Sequence, residues 1–264
     1  MRRPVALLAA VAAGGALLLS GCGSSSDAGS SSSSSASASS PTGTVTVFAA
    51  ASLTESFTTL GKQFEADHPG VTVKFNFGPS SGLAESISQG APADVFASAS
   101  TKNMDSMVKA GDASDPKTFV KNAMEIAVPP DNPAKIATVQ DLAKPGVKVA
   151  LCQPQVPCGA IAQLVFQNAN VTVTPKTLGV DVKAVLTTVR LGEVDAGVVY
   201  KTDVQAAGTK VRGIQIPDDV NASTSYPIAT LRKAPNPDTA KAFVDYVLSD
   251  KGTEVLTKAG FSQP

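Results

Sequence analysis

The sequence predicts an α/β fold whose mixed, mainly parallel sheets are flanked by helices. Three observations carry that expectation. Beyond residue 43, short stretches of two-residue apolar period alternate with longer stretches of helical period. Turns rich in serine, glycine and proline separate the two kinds of stretch. No repeat of fixed length imposes a solenoid or propeller instead.

The elements follow in order. Residues 44–50 alternate as a strand. Over 52–68, Leu53, Phe57, Leu60 and Phe64 share one helical face, and Pro69-Gly70 ends it. Residues 71–77 alternate again, and 81–89 has helical spacing. Gly90-Ala91-Pro92-Ala93 turns into a buried strand over 94–99, followed by a helix over 101–110. The second half repeats the theme: strand 125–128, short helix 139–143, strand 147–151, helix 159–168, helix 182–191 and strand 196–200. Two helices close the chain, the first with Ala240, Phe243, Val244, Val247 and Leu248 as its apolar stripe. Strands alternating with helices are the pattern of parallel α/β sheets.

Residues 1–22 start with Arg2-Arg3, continue as an apolar run and end at Leu19-Ser20-Gly21-Cys22. A basic start with an apolar run of roughly 15 residues is a secretory leader, too short to span a bilayer. Leu19–Cys22 resembles the lipobox of bacterial lipoproteins, which implies cleavage before Cys22 and lipidation of its thiol. Residues 23–42 are mostly Ser, Ala and Gly, a composition that stays disordered and spans roughly 24 Å as a flexible tether. The chain carries 22 basic and 22 acidic residues. Losing Arg2 and Arg3 with the leader leaves a net charge of about −2, so neither nucleic acid nor an anionic membrane surface is an expected partner.

Cys152 and Cys158 remain. An exported chain meets an oxidising compartment, so a disulfide is the expectation, worth about 2 kcal/mol for so short a loop. A zinc site needs two further ligands, and His68 is the only histidine. The same scarcity argues against a Cys–His nucleophile pair, and no bare-cation site is expected.

Three strand-to-helix junctions draw attention: Ser52-Leu53-Thr54-Glu55, which has capping-box spacing, then Ser80-Ser81-Gly82-Leu83, then Pro157-Cys158-Gly159. Each reads singly as a helix cap. Together, at the carboxyl ends of strands, they read as an anion site, because helix N-termini present free N–H groups there. Lysine and arginine are missing from all three turns. A site of hydroxyls and amides suits a small, fully ionised oxyanion, since phosphate near neutral pH still carries a proton that wants an acceptor. Asp181 before Val182 is a further N-cap, and Tyr200 ends an apolar strand, where the plain reading is a half-buried core tyrosine.

The runs Val47-Phe48-Ala49-Ala50-Ala51-Ser52-Leu53-Thr54, Ser80–Leu83, Gly90–Phe96, Val156–Gly159 and Gly197–Tyr200 resemble, in order and across residues 43–264, the periplasmic molybdate-binding proteins of ABC importers. The resemblance implies a two-lobed type II periplasmic-binding-protein fold. Lobe one would take 43–123 with 226–264, lobe two 124–225, and the crossings would act as hinge. It implies molybdate, or tungstate, held by the hydroxyls and amides of Ser52 and Ser80, the amides of Cys158 and Val182, and the Tyr200 hydroxyl, with no cofactor. The partner would be an ABC permease, met by a monomer anchored through Cys22 at the outer face of the bacterial cytoplasmic membrane. Family members often carry alanine where Cys158 stands. A Cys152–Cys158 bridge would then fix the loop that aims the Cys158 amide. Sulfate is the alternative ligand. An iron(III) receptor fits less well, because Tyr200 is followed by Lys201 rather than a second tyrosine. A serine hydrolase is the distant alternative, and without a histidine near Ser52 or Ser80 those serines stay weak nucleophiles. A purely structural surface lipoprotein would not need these turns.

Overall fold

The computed structural model describes residues 40–264. The leader, the lipidation site at Cys22 and nearly all of the 23–42 tether lie outside the described residues. The first half runs β1 (Gly43–Ala50), α1 (Thr54–Asp67), β2 (Val71–Gly78), α2 (Ser80–Ser88), β3 (Val95–Ala97), α3 (Thr101–Ala110) and β4 (Lys117–Val128). Then come β5 (Val149–Cys152), α4 (Pro157–Asn168), β6 (Thr177–Gly179), α5 (Val182–Arg190), β7 (Ala196–Tyr200), α6 (Lys201–Ala207) and β8 (Arg212–Gln215). The chain ends with β9 (Ser223–Thr230), α7 (Pro237–Leu248) and α8 (Asp250–Lys258). The expected short helix near 139–143 is a 3₁₀ turn over Gln140–Ala143.

The sheet is mixed. Its strand order is β2-β1-β3-β9-β4-β7-β5-β6, with β8 pairing β4 off this path. β1 pairs β2 and β3 in parallel, and β5 pairs β6 and β7 in parallel. The antiparallel pairs all involve β4 or β9. β4 joins the halves: Lys117–Ala123 pair with β9, whereas Met124–Val128 pair with β7 and β8. The buried apolar residues divide in the same way. One cluster draws on residues from Met124 to Ile216, with Ala51 added. Two others draw on Val45–Val120 and Tyr226–Phe261.

The motif at Gly90–Phe96 turns out to be structural. Asp94 is buried, and its carboxylate accepts from the Thr46 and Asn236 N–H groups at 2.7 Å each, tying β1 to the start of α7. Among the described residues no helix is long and apolar enough to cross a membrane.

Candidate functional site

Ser52, Ser80, Cys158, Val182 and Tyr200 line one cavity. Ser52 sits in the 3₁₀ turn Ala51–Leu53 after β1. The capping-box expectation fails here, because its side chain caps no N–H; its hydroxyl lies 2.8 Å from the Tyr226 hydroxyl instead. Ser80 opens α2, and its Oγ accepts from the Ala99 N–H at 3.0 Å. A serine oxygen that accepts keeps its own proton to give, so Ser80 is set up as a donor. Cys158 and Val182 lie in the first turns of α4 and α5, where the amides have no carbonyl of their own helix to reach. The Asp181 side chain caps α5 by accepting from Ala184 N–H at 2.9 Å, as the sequence suggested.

Tyr200 ends β7 and is 1% exposed, yet its hydroxyl has no hydrogen-bond partner. Buried hydroxyls are nearly always paired, so an unpaired one at a cavity wall is a donor awaiting a guest. Burial pushes its phenol well above the usual tyrosine range, so the proton stays on.

The cavity volume is ≈ 20 Å³. That exceeds the ~10–15 Å³ a single water needs and falls far below the ~300–1,000 Å³ of pockets for organic ligands. Its walls are otherwise small or apolar (Ala50, Ala51, Ala99, Val156 and Pro157 among them) except for Asp181, whose carboxylate accepts from the Ala184 N–H, and they include no cationic side chain. The nearest ion cluster stands outside those walls. Lys183 lies 2.7 Å from Glu55 and 2.9 Å from the buried Asp203. Burial alone would lower the Lys183 ammonium; Asp203 and Glu55 outweigh it and hold it above its usual range. Burial lifts Asp203 to about 6 against the pull of Lys183.

Cys152 and Cys158 form a disulfide that links the end of β5 to the first turn of α4. The next residue has to be glycine: a Cβ on Gly159 would lie 2.0 Å from the Gln153 carbonyl oxygen. Gly78-Pro79-Ser80-Ser81-Gly82 also fits the Gly-x-Ser-x-Gly nucleophile pattern between a strand and a helix. No base accompanies it. Ser80 Oγ is engaged by a backbone amide, and the single histidine packs on Phe64 and Tyr246 with its Nδ1 at the Phe64 carbonyl. A larger groove of ≈ 670 Å³ runs between α1 and α8, lined by Asp67, Lys251 and Glu254 among others. None of the five site residues reaches it.

Sequence comparison decides the family: residues 45–262 match the bacterial extracellular solute-binding proteins. The chain belongs to that family. This solute-binding protein is 42% identical to the molybdate-binding protein ModA of Mycobacterium tuberculosis (strain H37Rv), over 83% of this chain and 85% of that one. It is 34% identical to the putative ABC transporter substrate-binding lipoprotein YvgL of Bacillus subtilis, over 83% and 86% respectively. Its fold matches the periplasmic molybdate-binding protein of Azotobacter vinelandii with a TM-score of 0.73 at 20% identity, over 83% of this chain and 99% of that one.

Tyr226 and Asn122 were missed by sequence reasoning. Asn122 Nδ2 donates to Thr202 Oγ1 at 2.8 Å and lies 3.4 Å from the Tyr226 hydroxyl. Neither residue sits at a strand-to-helix junction, the signal that found the others.

Proposed function

We propose that this solute-binding protein captures molybdate, and tungstate with it, in the cavity of Ser52, Ser80, Cys158, Val182 and Tyr200, and hands it to an ABC import permease. The observation that carries the reading is the donor set: a small cavity with an unpaired tyrosine hydroxyl, a serine committed to donating, first-turn amides of two helices, no cation, and a single carboxylate, Asp181, that accepts from its own helix. Such a set stabilises an anion that needs donors only. The names of the relatives at 42% and 34% identity support the ligand and the transport role.

The proposed lobes are 43–123 with 223–264, and 124–222. The second crossing is moved slightly ahead of the sequence expectation, because β9 begins pairing with β4 at Ser223. Closure is a hinge motion at Ala123–Met124 and Ala222–Ser223. The monomer is held at the outer face of the cytoplasmic membrane by lipidated Cys22. In a Cys22→Ser variant the protein leaves the membrane fraction; retention there refutes the anchor.

Calorimetric titration of the purified protein with molybdate, tungstate, sulfate and phosphate tests the ligand. The expected result is one-to-one binding of molybdate and tungstate, with sulfate and phosphate much weaker. Equal binding of sulfate removes the assigned ligand, and no binding of any oxyanion removes the site.

A further inference from the structure

Ser52 stands between two spaces. It lines the small cavity, and it also borders a separate groove of ≈ 300 Å³ with Glu55, Thr202 and Gln205. A hydroxyl in that position has to be told which way to send its proton. Tyr226 is fully buried behind it and does not line the cavity. The Ser52 Oγ–Tyr226 Oη pair, 2.8 Å apart, has a proton to place in one direction or the other.

Asn122 sets the direction. Its Oδ1 accepts from the Ala123 N–H at 3.1 Å, which makes the other terminal atom the amide nitrogen. That nitrogen has only protons to offer: one goes to Thr202 Oγ1 at 2.8 Å and the other points to Tyr226 Oη at 3.4 Å. Tyr226 therefore accepts from Asn122, and its own proton goes to Ser52 Oγ at 2.8 Å; the other oxygen near it, the Tyr200 hydroxyl, is left without a hydrogen bond. The reverse arrangement would leave the buried Tyr226 proton with only the poorly placed Tyr200 oxygen to reach, a costly state. It would also turn the Ser52 proton away from the cavity. Burial pushes the Tyr226 phenol well above its usual range, so the donor role holds at any physiological pH.

We propose that Asn122 and Tyr226 form a one-way hydrogen-bond chain, Asn122 N–H to Tyr226 O–H to Ser52 O–H, that commits the Ser52 proton to the cavity and makes Tyr226 a positioning residue for anion selectivity. The proposal rests on the oxyanion reading above. With the inward lone pair of Ser52 occupied by Tyr226, the serine presents a donor and little acceptor. At Ser52 a fully ionised anion is favoured over one that must donate its own proton. Ser80, whose oxygen is occupied by the Ala99 amide, repeats the device from the other wall.

The test is Tyr226→Phe, which keeps the ring against Tyr200, Phe119 and Phe261. Molybdate and inorganic phosphate are titrated into wild type, Tyr226→Phe, Ser52→Ala and the double variant, with melting curves to confirm folding. Expected are about a fivefold to tenfold loss of molybdate affinity in Tyr226→Phe, a smaller change or a gain for phosphate, and no further loss when Tyr226→Phe is added to Ser52→Ala. A merely structural tyrosine would weaken both anions alike and would add its full effect to Ser52→Ala; either result overturns the proposal. Unchanged molybdate affinity overturns it too. If wild type binds no oxyanion, the function falls together with this chain; if wild type binds and the variant is neutral, only the chain falls. Should Tyr226→Phe not fold, Asn122→Ala takes its place, with the same selectivity loss and the same non-additivity with Ser52→Ala expected; unaltered selectivity overturns the chain.

Discussion

A hydroxyl is both donor and acceptor, and a protein that needs one role has to occupy the other. Ser80 does this with a backbone amide and Ser52 with a phenol. Tyr200 takes the opposite course, with a buried hydroxyl left without any partner. An unsatisfied buried hydroxyl costs roughly 1–3 kcal/mol, a cost that an anion bound as proposed would remove. The titrations proposed above read these roles directly. At this scale the sequence was informative through a shared placement: serines and a cysteine opening helices at the ends of strands, and a tyrosine ending a strand. It was silent about Tyr226 and Asn122. Position 226 entered only as the start of lobe one's second stretch, and Asn122 is one polar residue in a strand that the alternation did not resolve. Their importance comes from a pairing across 104 positions, and no local pattern carries that.

At the scale of elements, the site depends on how α4 begins. Pro157 at its first turn needs no hydrogen-bond partner for a missing N–H, and Gly159 allows close contact with the Gln153 carbonyl. The Cys152–Cys158 bridge closes the turn between them. If the Cys158 amide holds the anion as proposed, the intact bridge leaves little ordering to be done on binding, which is how preorganisation raises affinity. A Cys152→Ser/Cys158→Ser variant is expected to lose about 2 kcal/mol of stability and to bind molybdate several-fold more weakly. Unchanged affinity in that variant would leave the bridge as a staple with no part in binding. The elements that alternation missed have physical reasons for being missed. β9 carries Pro227 within it, a residue that demotes a strand reading. The first half of β4 carries Lys117, Lys121 and Asn122. α6 starts directly at Lys201 with no breaker after Tyr200.

For the whole molecule, the proposed hinge closure raises the question of what would keep the two halves together once the cavity is filled. β4 crosses between them, and so does the ion pair of Glu55 in the first turn of α1 with Lys183 in the first turn of α5. Glu55 follows the turn that holds Ser52, and Lys183 follows the Val182 amide, so the pair bridges the halves beside the cavity. The α/β class and the order of junctions were legible from sequence, but this contact joins residues 128 positions apart and was not. Lys183 also pairs with buried Asp203, so it stays compensated when Glu55 is removed. A Glu55→Gln substitution therefore takes away the cross-cleft attraction without stranding a charge or touching a donor of the site. Partly exposed pairs are worth about 0.2–1 kcal/mol, which corresponds to a roughly 1.4-fold to fivefold faster release of molybdate. The association rate should change little, because both halves keep their donors and interface changes act mainly on dissociation. Stopped-flow displacement with excess tungstate measures the release rate. An unchanged rate would mean that the pair orders the surface of the closed form without holding it shut, and that closure rests on the anion's own contacts with the two walls.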